Sequence, residues 1–249
     1  MSLPHRTGNT VQPHWDQRIP ADEWSVYEEV IQRARARGIR FAFGGAFATA
    51  AYTGELRNTK DFDFYLLPAD RDAMKQAITE AGLKDYFERL SYDRSWIYRG
   101  SRDDIIVDAI WAMANHRAEV DELWLSRGPE ITIRGERLRA IPIEELIWSK
   151  LYVLQRERCD WGDVFNLIDA RGETVDWEHL LERLAEDTPL LAGAISVFIW
   201  LAPDRVSAIP GRIRERLGLA EFPALDDPKI SRARTGLLDG RPWFARHTR

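Results

Sequence analysis

The chain has 249 residues, long enough for one large domain or two modest ones that each bury a core without covalent help, and its single cysteine, Cys159, excludes an intramolecular disulfide. Lysine and arginine total 35 against 40 aspartate and glutamate, a net charge of −5 that argues against coating nucleic acid by bulk electrostatics, though not against a local groove. No spaced Cys/His cluster suggests zinc, and the polar stretch 1–17 is too short of apolar residues for a signal peptide or a membrane span; we therefore expect a cytoplasmic protein with no membrane partner.

The positive charge is mostly arginine, which suits bidentate phosphate binding and is equally explained by a GC-rich coding sequence. Ten tryptophans are many for this length; Trp148, Trp161, Trp177 and Trp200 fall in helix-like stretches, where they most simply fill core or interface.

In chain order, 1–19 reads as a flexible arm with Pro4 and Pro13. Pro20 and Asp22 open a helix with an apolar stripe (Trp24, Tyr27, Val30, Ile31, Ala34) that Gly38 stops. A buried strand over 39–43, a helix over 46–52 ended by Gly54 and a second strand over 62–67 ended by Pro68 follow. Asp70 caps a helix to Ala81, after which 95–99 and 104–111 read as two strands around a turn at Gly100. A polar helix-like stretch over 115–123 precedes a hairpin, 130–133 and 136–141, turning at Arg134-Gly135. From Pro142 the periodicity is helical: 143–154, 164–168, 177–184, 190–201 and 213–217. The tail from Ala220 reads as irregular, strapped down by Trp243 and Phe244.

The chemistry concentrates around Asp61-Phe62-Asp63. Residues i and i+2 of a strand project from one face, so Asp61 and Asp63 can share divalent cations while Phe62 and Phe64 point into the core. Upstream, Gly44-Gly45 joins a strand to a helix, where backbone N–H groups can approach an anion. Asp108 interrupts an apolar strand and has two readings. It completes a metal site, or it pairs with a nearby arginine such as Arg99 or Arg102. A D-x-D alone is often only a solvated strand face; three segments pointing to one chemistry carry more weight. The five histidines show no ligand spacing, and no Ser or Cys nucleophile stands beside them.

The run Phe43-Gly44-Gly45-Ala46-Phe47-Ala48 and then Arg57-Asn58-Thr59-Lys60-Asp61-Phe62-Asp63-Phe64 resembles the GG…R-x-T-x-D-h-D-h signature of the polymerase-β-type nucleotidyltransferase superfamily, which includes small antibiotic nucleotidyltransferases and nucleotidyltransferase toxins of abortive-infection systems. Pro142-Ile-Glu144-Glu145-Leu146-Ile147-Trp148-Ser149-Lys150-Leu151, with Arg156, Asp160 and Asp163, is similar to the segment that opens that family's helical half. The resemblance covers about half the chain, from 41 to 167. It implies an α/β (α+β) nucleotidyltransferase domain with a mixed twisted sheet over 20–141, an all-helical domain over 142–219 and an irregular tail over 220–249.

By position, the resemblance implies that Asp61, Asp63 and Asp108 are the catalytic carboxylates and bind Mg²⁺ or Mn²⁺, with Asp108 the candidate general base. It implies that Gly44 and Gly45 cradle the triphosphate of an NTP such as ATP, with Arg57, Thr59, Lys60, Lys150 and Asp163 as further nucleotide contacts. For Lys150 the spacing alone favours a solubilising charge. Asp160 and Asp163 are equally placed to cap a helix, and Arg57 or Lys60 to balance local negative charge. The implied reaction moves a nucleoside monophosphate onto a hydroxyl-type acceptor and releases pyrophosphate, the acceptor being a small molecule, a protein or tRNA. Two other readings keep the fold: a nucleotide-binding or interaction module without turnover, and a phosphohydrolase using the same carboxylates. Gly45 stands where many superfamily members have serine, and Phe62 and Phe64 replace small aliphatics on the core side.

Overall fold

The first unit of the computed structural model, Met1–Pro142, is organised around a strand that carries acids on one face and aromatic rings on the other. The structure describes residues 14–57, 59, 61–219, 225, 227–238 and 243–244. Helix α1 (Ala21–Ala36) buries Trp24, Tyr27, Val30, Ile31 and Ala34 along one stripe. Strand β1 (Phe41–Phe43) runs through Gly44 into α2 (Gly45–Thr53), which ends at Gly54 in the left-handed conformation that favours glycine. Strand β2 (Asp61–Leu66), α3 (Arg71–Glu80), β3 (Lys84–Asp85), β4 (Ile97–Arg102), β5 (Ile105–Ile110) and α4 (Glu122–Ser126) follow, then a separate hairpin of β6 (Glu130–Ile133) and β7 (Glu136–Arg139).

The main sheet has the order β1-β2-β5-β4-β3 and is mixed, with β2 and β5 parallel and the other pairs antiparallel. A parallel pair needs a long crossover, and the chain uses it to build α3, β3 and β4. On the apolar face Phe62 and Phe64 are fully buried, with Phe62 5.2 Å from Tyr27 and 5.0 Å from Phe47 between ring centroids. Burying a ring of this kind stabilises by about 2–3 kcal/mol, so this aromatic cluster fixes which way β2 faces.

Three expectations need correction. The turn expected at Gly100 lies later: Gly100 is inside β4, and the reversal occurs at Asp103-Asp104, where Asp103 adopts φ +55°. The glycine serves close packing instead, since a Cβ there would run into Ile78 of α3. The helix expected over 115–123 is irregular up to Asp121, whose carboxylate accepts from Leu123 N and starts α4. The arm expected over 1–19 is anchored at its end: His14–Arg18 forms a 3-10 turn, Trp15, Asp16 and Ile19 are buried, and Arg134 donates to Asp16 Oδ2 and to the Asp16 and Ile19 carbonyls. Residues 1–13 lie outside the described residues.

The second unit, Ile143–Arg249, is helical: α5 (Ile143–Leu151), α6 (Trp161–Arg171), α7 (Trp177–Leu184), α8 (Thr188–Leu201), α9 (Gly211–Arg216) and α10 (Pro228–Thr235). The stretch Trp177–Leu201 is long and apolar enough to cross a membrane by length and composition alone, but Ala185 at φ +48° interrupts it. Its apolar residues Leu191, Ala194, Ile195 and Phe198 are buried within the unit. The expected irregular tail contains α10, a helix capped by Asp227. Beyond it Trp243 stacks on Phe165 at 5.8 Å and Phe244 is fully buried, while the rest of 239–249 lies outside the described residues.

Candidate active site

Strand register assembles the charged face of the first unit. Asp63 of β2 is the lateral partner of Asp108 of β5, and Asp108 is in turn the partner of Arg99 of β4. Lateral partners share a face, so Asp61, Asp63, Asp108 and Arg99 lie on the side opposite Phe62 and Phe64. The site residues expected from two distant segments therefore meet in one row.

The glycine turn closes the row at one end. Gly44 N donates to the Asp63 carbonyl at 3.0 Å, and a Cβ at Gly44 would overlap the ring of Tyr65. Gly45 adopts φ +55°, and a Cβ there would overlap the Asp63 carboxylate. The serine that many relatives of the resemblance carry at this position would collide with Asp63 in this arrangement. The cradle also shifts: the Gly44 N–H is committed to β2, so the N–H groups that open α2 are those of Gly45 and the residues after it.

Each carboxylate has a distinct environment. Asp61 is half-buried, and Thr59 Oγ1 donates to its Oδ1. Asp108 is 1% exposed and is clamped by Arg99, with Nε to Oδ1 at 2.7 Å and Nη2 to Oδ2 at 2.5 Å. The hydrogen bonds that Arg99 donates to Asp108 hold its guanidinium ionised well above the usual range against the cost of its burial, and the charges of Asp108, Asp61 and Asp63 add to this. On the far side of the strand the Tyr27 hydroxyl is buried without a hydrogen-bond partner among the described residues. Burial, then the charges of Glu23, Asp61 and Asp63, raises its ionisation above the usual phenol range.

The donor set is all oxygen, which suits a hard divalent cation, and Asp61 and Asp63 fit that role as strand neighbours on one face. Asp108 differs from the expectation: both of its oxygens are bonded by Arg99, and among the described residues no group of three or more His, Cys, Asp or Glu is arranged to hold a metal ion. Of the expected phosphate contacts, Arg57 is exposed, Thr59 is on Asp61, and Lys60 lies outside the described residues.

Lys150 and Asp163 belong to the second unit and meet each other there. Lys150 is 5% exposed, with Nζ donating to Asp163 Oδ2 at 2.6 Å and Asp160 Oδ2 at 3.3 Å, so it is no solubilising surface charge. Nor does Asp160 cap α6 through its side chain, since its carboxylate takes Arg158 as well as Lys150. Burial pushes the Asp160 carboxyl up, but the Arg158 hydrogen bond and the Lys150 charge outweigh it and hold it below its usual range. Sequence reasoning missed a further cluster: Glu145, fully buried on α5, accepts from or shares a proton with His179 Nε2 at 2.7 Å and accepts from Arg183 Nε at 3.2 Å. A charged residue inside the apolar stripe of α5 was the available signal.

No curated protein matches the sequence. Among solved structures, the antibiotic-resistance factor ANT(2'')-Ia is 18% identical with a TM-score of 0.43, covering 80% of this chain and 95% of its own. JHP933 from Helicobacter pylori is 14% identical with a TM-score of 0.41, covering 91% and 98%. An antigenic nucleotidyltransferase-like protein from Paracoccidioides brasiliensis is 15% identical with a TM-score of 0.36, covering 72% and 94%. These likenesses are too remote to carry an argument about chemistry. The sequence profile of the family described as uncharacterised nucleotidyltransferase matches residues 26–192, which spans the carboxylate row, the glycine turn and the Lys150 segment, and the chain belongs to that family.

Proposed function

We propose that the first unit transfers a nucleoside monophosphate from an NTP, brought with Mg²⁺ or Mn²⁺, to a hydroxyl-type acceptor with release of pyrophosphate. The observation that supports this most directly is the contact between the glycine turn and Asp63, which sets an anion-binding helix start against a carboxylate that is itself level with Asp108. A divalent cation bound at Asp61 and Asp63 would neutralise charge on the phosphates and lower the pKa of the acceptor hydroxyl. The residues of the chain do the positioning. Thr59 orients Asp61, Gly44 ties the turn to β2, and the N–H groups that open α2 face the anion. The acceptor oxygen forms a bond to the α-phosphorus as the bond to pyrophosphate breaks, and the hydroxyl proton passes to an Asp108 oxygen once Arg99 has released it. Lys150 and Asp163, which satisfy each other, take no step in this scheme. The net charge favours a small-molecule or protein acceptor slightly over tRNA.

The test is incubation with each α-labelled NTP and Mg²⁺ or Mn²⁺, alone and with metabolite, protein and RNA pools. Label transfer is expected to fall by roughly 10³-fold or more in an Asp61→Ala, Asp63→Ala double variant that keeps its fold. Transfer that survives the double substitution sinks the reading. A second reading, nucleotide binding without turnover, is favoured by the Arg99 clamp on Asp108, and tight NTP binding with no transfer or phosphate release would select it.

A further inference from the structure

Resting on that reading of the row, we propose that Arg99 and a divalent cation compete for Asp108, the guanidinium holding the third carboxylate until a cation displaces it. The two partners differ in freedom. Asp108 is fixed on a central strand with its side chain 2% exposed, whereas the Arg99 side chain is 32% exposed. Arg99 Cζ also lies 5.7 Å from the centroid of the Tyr86 ring, an aromatic face on which a released guanidinium can rest. Asp108 cannot turn away from the row, because its neighbours Val107 and Ala109 are buried on the opposite face and its register with Asp63 is set by the parallel ladder. A guanidinium bonded to both carboxylate oxygens repels a divalent cation brought to the same carboxylate. Binding linkage is reciprocal, so the factor by which the Arg99 clamp weakens the cation is the factor by which the cation weakens the clamp. Arg99 is then a positioning residue of the metal site rather than a group that touches the reacting atoms.

The test is Mn²⁺ binding without nucleotide, measured calorimetrically on the full chain. Arg99→Gln is expected to bind Mn²⁺ roughly tenfold or more tighter than the wild type, and the Asp61→Ala, Asp63→Ala variant to lose binding. Equal or weaker binding by a folded Arg99→Gln protein overturns the proposal and leaves the transfer reading standing; no Mn²⁺ binding by either the wild type or Arg99→Gln overturns both. Since Arg99→Gln removes the fork from a buried acid, the wild type supplies a second arm. The Arg99 Nε–H resonance, shifted by its hydrogen bond to Asp108, should move to the position of a solvated guanidinium as Mg²⁺ saturates the protein. A resonance unchanged at saturation overturns the competition.

Discussion

In the first unit the deep member of the ion pair is the acid and the shallow member the base: the Asp108 side chain is 2% exposed and that of Arg99 32%. In the second unit the order is reversed, with the Lys150 side chain at 6% beneath those of Asp160 at 11% and Asp163 at 18%. The difference lies in which partner water can reach. Lys150 has two acids, one of them also held by Arg158, so no single loss strands it. Asp108 is held on both oxygens by the fork of a third-exposed arginine, which a mobile cation can replace. A buried acid with an exchangeable counter-ion suits a site that admits metal; a buried base between two acids suits a fixed joint in a helical core.

The largest effect expected from this contrast is on stability in the first unit. Arg99→Ala removes the bidentate partner of a buried carboxylate and should destabilise by about 3–5 kcal/mol in urea unfolding, whereas Asp108→Asn leaves a third-exposed guanidinium that water can reach and should cost about 1–2 kcal/mol. Equal losses would break the comparison. Gly45→Ala, which forces a side chain into a positive-φ position and against Asp63, should destabilise by about 1–3 kcal/mol and lower label transfer at least tenfold, about the effect of misplacing one reacting group. Retained transfer would show that the turn does not position Asp63. Lys150→Met in the second unit should cost only about 1 kcal/mol, because the acids left behind are partly exposed and Arg158 stays on Asp160.

The smallest effect is a pH dependence of that second cluster. The folded Asp160 carboxyl titrates below its unfolded value of 3.8, so its contribution is present above roughly pH 4 and is lost as pH falls through the lower folded value. Unfolding followed from pH 6 down to about 2 should show this loss in the wild type and less of it in Lys150→Met. An unchanged acid slope in the variant would mean that Arg158 alone sets the Asp160 titration.

Much of this was legible because alternation and helical spacing are local. The acid and aromatic alternation of β2 follows from a period of two, and the α1 stripe from Trp24 to Ala34 follows from 3.6-residue spacing. The clamp on Asp108 was legible only as one of two options. Placing the turn at Gly100 hid it, since a reversal there separates Arg99 from Asp108, whereas the reversal at Asp103-Asp104 sets them side by side. Gly100 signals a turn in isolation, and only the nearness of Ile78, contributed by a helix earlier in the chain, reveals its use in packing. The second-unit clusters were hidden for a similar reason: a lysine or glutamate in a helix gives no local sign of the distant groups that surround it.

The bare backbone at Gly100 ties the two sides of the sheet together. Because no side chain projects toward α3 from that point, β4 can settle close beneath the helix, and the next residue back along the strand presents its guanidinium level with Asp108 on the reverse side. Close packing of bare backbone against the helix is thus a precondition for charge balance on the opposite face of the sheet, and a methyl group added in the oily interior would be felt as an electrostatic change among the acids.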